Sequence, residues 1–255
     1  MIRAIRAEIL KLRTVRLALE LLGAAMVVTL LVALLEFARS GGGHGRLILP
    51  SISGSAGQTV LITSTEFALL LALVLGVTIT TGEFHHGTAT ATALAIPDRV
   101  RVLLAKAIVA AGGGLIFGLA AALVATVATL VFVASKGFTL VVPMSTVLRY
   151  GAGAMLASAL LAAAGTAVGA LIRSQLAAIV VVLLWALVAE PSLGALFPTE
   201  APFFPYKAAT TLAGKATFSQ GVSALPFVGA AMLVLAVALV LGVVASRTTV
   251  PRDIA

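Results

Sequence analysis

The chain has 255 residues and is 61% hydrophobic and only 10% charged. Soluble domains run at about 45–50% and about 25%, so a water-soluble globule is excluded. Its 17 basic and 9 acidic residues leave a formal charge of +8, yet aromatics are 5% and no long basic run exists, which fits the orienting charges of membrane loops and not a nucleic-acid surface. With no cysteine, disulfides and thiolate metal ligation are both closed to it.

At about 20 residues per membrane helix, the length allows roughly five to seven spans and no sizeable soluble domain. Residues 1–16 put Ile2, Ile5, Ile9, Leu12 and Val15 at helical spacing, with Arg3, Arg6, Lys11, Arg13 and Arg16 around the remaining faces. That pattern predicts an amphipathic helix lying on an anionic lipid surface. A signal peptide is the alternative, but the apolar run that follows, 17–37, is longer than a signal's hydrophobic region and lacks a clear cleavage site. Further spans are predicted over 59–82, over 103–134 (shorter than that interval), over 146–172, over 174–189 (the shortest) and over 223–245. Between the last two, Pro191, Pro198, Pro202, Pro205 and Pro226 interrupt a stretch rich in Phe and Leu, so 191–222 is expected to form short re-entrant helices buried against the bundle.

The expected fold is therefore all-α: a single transmembrane domain over residues 1–255, with six transmembrane helices. Six spans put both termini on one side. The side holding the N-terminus, the 83–102 loop with Lys106, the 172–175 turn and the tail carries eleven Lys and Arg against six on the other. The positive-inside rule makes it cytoplasmic, with the 191–222 segment outside. Gly114 with Gly118, and Gly165 with Gly169, allow close helix approach; intrachain packing accounts for them, and a dimer interface is the sharper alternative.

Signatures of membrane enzymes are missing. There is no HExxH, no GxSxG and no pair of intramembrane aspartates, since Asp98 and Asp253 fall at or beyond helix ends. His85 and His86 are adjacent, but His44 belongs to the opposite face, so no metal site is expected. The one Gly-Lys pair, Gly214-Lys215, has Ala209 and Ala216 where a phosphate loop needs Gly and Ser or Thr. The chain is not expected to hydrolyse ATP or to be an enzyme. What remains are ionisable groups at membrane depth or its margin: Glu20, Glu36, Glu66, Arg149 and Glu190. Glu36 or Glu66 could pair with Arg149, or these three could line a substrate pathway, whereas Glu20 and Glu190 are expected near span ends. The stretch from Gly82 to Lys106 reads as a polar turn, a short helix begun by Thr88 and closed by Pro97, and the start of the next span.

Two segments resemble the ABC-2 family of ATP-binding-cassette permeases, in particular its small six-span actinobacterial kind. They are Ala7-Glu8-Ile9-Leu10-Lys11-Leu12-Arg13-Thr14 and the stretch from Glu83 to Lys106, which is similar to that family's E-x-x-x-G-T…L…P…R…K pattern. His85 departs from it, standing where similar members often carry arginine. The resemblance implies a permease that dimerises with itself or a related chain and binds two copies of a separate ATPase subunit, which would hold ATP and Mg; this chain would bind no cofactor and no nucleic acid. It implies that residues 1–16, with Glu8, Lys11 and Arg13, form an interfacial connecting helix. It also implies that 83–97, with Glu83, Phe84, His85, His86, Gly87, Thr88, Leu94 and Pro97, form a coupling helix against the ATPase. The cargo expected is an amphiphilic small molecule, drug or peptide antibiotic. The alternative is an ion-coupled secondary transporter in which Glu66 holds the coupling ion, although the two halves show no convincing internal repeat.

Overall fold

A computed structural model describes residues 1–14, 16–40, 50–85, 87, 98–215 and 223–248. Its helices, in chain order, are α1 (Ile2–Thr14), α2 (Arg16–Arg39), α3 (Ser55–Ile62), α4 (Glu66–His85), α5 (Arg99–Ser135), α6 (Met144–Ile172), α7 (Gln175–Leu184), a π-helical segment (Trp185–Ala189), α8 (Glu190–Leu196), a 3-10 turn (Ala201–Phe203), α9 (Pro205–Leu212) and α10 (Phe227–Thr248). Six helical stretches are long and apolar enough to cross a membrane: Arg16–Arg39, Ser55–His85, Arg99–Ser135, Met144–Ile172, Gln175–Leu196 and Phe227–Thr248. The chain is thus a multi-pass membrane protein.

Local chemistry sets the boundaries. The Asp98 side chain accepts a hydrogen bond from the Arg101 N–H at 3.1 Å and caps α5. Arg173 takes a left-handed φ of 59° to close α6 before α7. Three spans differ from their expected form. The third is 37 residues long, about 55 Å, and so longer than expected, because nothing between Arg99 and Ser135 breaks a helix. The fifth does not stop at Ala189 but runs on to Leu196. Pro191 cannot donate to the helix and crowds the Leu187 carbonyl one turn back, and the wider π turn at Trp185–Ala189 absorbs that conflict.

The second span starts earlier than expected, at Ser55, and is broken at Thr63, Ser64 and Thr65. Hydroxyls serve the broken backbone: Thr63 Oγ1 donates to the Thr59 carbonyl at 2.9 Å, and Ser64 Oγ contacts the Val60 carbonyl at 3.2 Å.

The core lies between α4 and α6, joined by α7, α9 and α10 around Leu69, Leu73, Val77, Leu161, Leu212 and Val234. Glycines permit this contact. A methyl group at Gly76 would stand 1.9 Å from the Ala162 carbonyl oxygen, and one at Gly165 would stand 2.2 Å from that of Leu73. Gly114 and Gly118 meet Ser158 and Ala154 of α6 in the same way, and Gly169 meets Val77. Both small-residue pairs are therefore filled by intrachain packing. On the outside, α2, α5 and α10 expose Leu30, Leu34, Ile116, Leu123, Val228 and Leu239, a surface suited to lipid.

Candidate functional site

Two clusters of charge lie at opposite ends of this bundle. The first gathers three elements at the end where α4 finishes and α5 begins. On α1, Glu8 and Lys11 stand one turn apart on one face; α4 supplies Glu83 from its last turn, and α5 supplies Lys106 from its second. Lys11 Nζ lies 2.7 Å from Glu8 Oε1 and 2.5 Å from Glu83 Oε1, while Lys106 Nζ lies 3.0 Å from Glu8 Oε2 and 2.9 Å from Glu83 Oε1. Lys106 also donates to the Ile79 carbonyl at 3.3 Å. Two carboxylates and two ammonium groups thus alternate in a neutral ring. Glu8 and Lys106 are buried, so each depends on the other for the solvation that water no longer gives. Burial depresses the Lys11 ammonium, but its hydrogen bonds to Glu8 and Glu83 and the charges of both outweigh this and hold it above the usual lysine value.

Of the other residues singled out at this end, Phe84 lies under the Arg173 guanidinium at 5.7 Å, His85 is the exposed last residue of α4, and Gly87 makes a turn at φ +67°. Glu83, Phe84 and His85 belong to the membrane helix itself. Arg13 lies in the last turn of α1. His86, Thr88, Leu94 and Pro97 lie outside the described residues.

The second cluster sits where α2 ends and α4 begins. Lys215 Nζ bridges Glu36 Oε1 at 2.9 Å and Glu66 Oε1 at 2.8 Å, and Ser64 of the broken span donates to Glu36 Oε2. The pairing expected with Arg149 does not form: Arg149 is exposed and stacks on the Tyr150 ring at 5.1 Å. Lys215 reaches the carboxylates because α9 ends in a Schellman turn. Gly214 takes φ +91°, its N–H bonds the Thr211 carbonyl at 3.0 Å, and the Lys215 N–H bonds that of Thr210 at 3.0 Å. Burial lowers the Lys215 ammonium, and Glu66 and Glu36 raise it by more, so it stays charged above the ordinary lysine value.

Glu190, expected near a span end, is instead buried as the anchor of α9. Its carboxylate accepts the Trp185 indole N–H at 2.7 Å and the backbone N–H groups of Tyr206 and Lys207 at 2.9 and 2.8 Å. A carboxylate at the start of a helix that opens with Pro205 satisfies donors the helix leaves unpaired. The Tyr206 hydroxyl donates a hydrogen bond to the Glu66 backbone carbonyl at 2.7 Å, and burial, with Glu66 and Glu190 nearby, pushes its ionisation far above the usual range. Burial also lowers Lys207, against the pull of Glu66 and Glu190.

Sequence patterns missed Lys215, Lys207 and Tyr206. A helix started by Pro205 and stopped by Gly214 was the available signal for where Lys215 would point. Both clusters pair carboxylates with ammonium groups, and among the described residues no three of His, Cys, Asp and Glu gather as metal ligands. No protein-family model matches the chain, and no curated protein matches it.

Proposed function

We propose that this chain is the permease subunit of an ABC-2 transporter, working as a dimer, exporting an amphiphilic compound and driven by two copies of a separate ATPase. The observation that carries the reading is the ring of Glu8, Lys11, Glu83 and Lys106. It ties the amphipathic α1 to the two helix ends that bracket residues 86–97, so a push on that segment is delivered to α1, α4 and α5 together. Glu83 would act as a positioning residue and not as a direct contact of the ATPase. In this reading both termini are cytoplasmic, and ATP and Mg belong to the partner.

The test is affinity purification of the tagged chain from native membranes in mild detergent, with mass spectrometry of what accompanies it. A P-loop ATPase in roughly equal amount is the expected result, and with Glu83→Ala the partner ATPase should still hydrolyse ATP while no cargo moves and the chain expresses normally. Recovery of this chain alone in several detergents, or normal transport by Glu83→Ala, would overturn the reading. A second reading, an ion-coupled carrier, is favoured by one observation: Glu66 sits at a break within a span, as coupling residues of carriers do.

A further inference from the structure

Beside the second charge cluster lies a cavity of about 450 Å³, enclosed by the start of α4, the π turn with α8, and α9. Its size is that of a small-molecule site. Phe67, Leu187, Pro191 and Phe204 give it apolar walls, while Glu66, Glu190 and Lys207 bring charge to it. Leu187, Pro191 and Ala195 are exposed and give it a mouth.

We propose that this cavity binds an amphiphilic organic monocation, held by Glu66 against the aromatic wall. The charge balance sets the sign. Among the described residues, the carboxylates of Glu66 and Glu190 in the lining and of Glu36 beside it outnumber the ammonium groups of Lys207 and Lys215 by one negative charge. In a half-apolar cavity that charge attracts a cation more strongly than it would in water. An anion would have only Lys207 to meet it, and that ammonium already lies in the field of Glu66 and Glu190. A small metal ion would need several oxygen ligands, whereas both oxygens of Glu190 already accept N–H donors and Glu66 Oε1 holds Lys215. A large, weakly hydrated cation asks only for one carboxylate and aromatic rings beside it, and Phe67 and Phe204 are both in the lining. That this ligand is also the cargo rests on the transport reading; the binding itself does not.

The test uses the purified full chain without any ATPase, so its outcome is independent of whether such a partner is found. Binding of benzyltrimethylammonium is measured by calorimetry, beside its uncharged carbon isostere neopentylbenzene and the anion phenylacetate. The cation should bind once per chain and the other two should not. Glu66→Gln should weaken the cation by about tenfold or more. Ala195→Phe, which fills the mouth without changing charge, should weaken it as much and keeps the test decisive if Glu66→Gln fails to fold. Equal binding of the isostere, or unchanged cation binding in Ala195→Phe, would overturn the proposal.

Discussion

Lys215 is one positive charge held between two carboxylates, and each of the three side chains is largely withdrawn from solvent. Lys215→Met leaves Glu36 and Glu66 facing each other without their cation. It should cost about 3 kcal/mol in a detergent unfolding titration, and adding Glu36→Gln with Glu66→Gln should recover most of it. Arg149→Met, at an exposed stacked position, should change stability far less. The two glutamates were legible in the sequence because charge inside an apolar run is conspicuous. Their partner was not, because it arrives from 149 residues beyond Glu66 through a backbone turn that no spacing rule between the two encodes. Lys11 gives a pH prediction. Its folded value is raised above the 10.5 of the free side chain, so its contribution is complete below that pH and is lost only as pH climbs through the folded value. Labelling of a thiol probe at Leu12→Cys, divided by the labelling rate of a free thiol at the same pH to remove the growth of thiolate, should therefore stay constant and low from pH 7 to about 10 and rise above that. Early release near neutrality would contradict the ring as drawn.

Among elements, α4 and α6 are held in close backbone contact. Gly76→Ala would drive a methyl group into the Ala162 carbonyl, and α4 and α6 would have to part. The expected loss is about 1–3 kcal/mol, seen as a lower unfolding midpoint, while Gly112→Ala, with open space around it, should be neutral or slightly stabilising. Equal behaviour of the two variants would mean that this packing does not govern stability. Six spans could be read from the sequence because apolar length is a coarse signal that short interruptions do not erase. Those same interruptions escaped it. The hydroxyls of Thr63 and Ser64 bond back to their own helix or to Glu36, so a broken span and an intact one share the same composition. Pro191 was read as a stop because the rule for proline assumes an α-helix before it, whereas the π turn there moves the conflicting carbonyl aside.

Across the whole molecule, burial is uneven. An 18-residue apolar stretch of α3 and α4 is 78% buried, whereas such stretches of α2 and α10 are 17% and 11% buried despite being as apolar. Such outer helices are stable only if something other than water covers them, and a bilayer does so for all of them at once. The bundle thus has a dry centre around α4 and α6 and a periphery finished by lipid. The charge ring has a further consequence, in the order in which the chain is made. Glu8 and its partner Lys106 are 98 residues apart, so α1 emerges long before the ammonium that completes it exists. At about 5–20 residues per second, roughly 5 to 20 s of synthesis separate the two. During that interval α1 has only Lys11 to answer Glu8 and must wait at the membrane surface; it locks into place only when the third span arrives, so the first helix translated is secured after two spans that follow it.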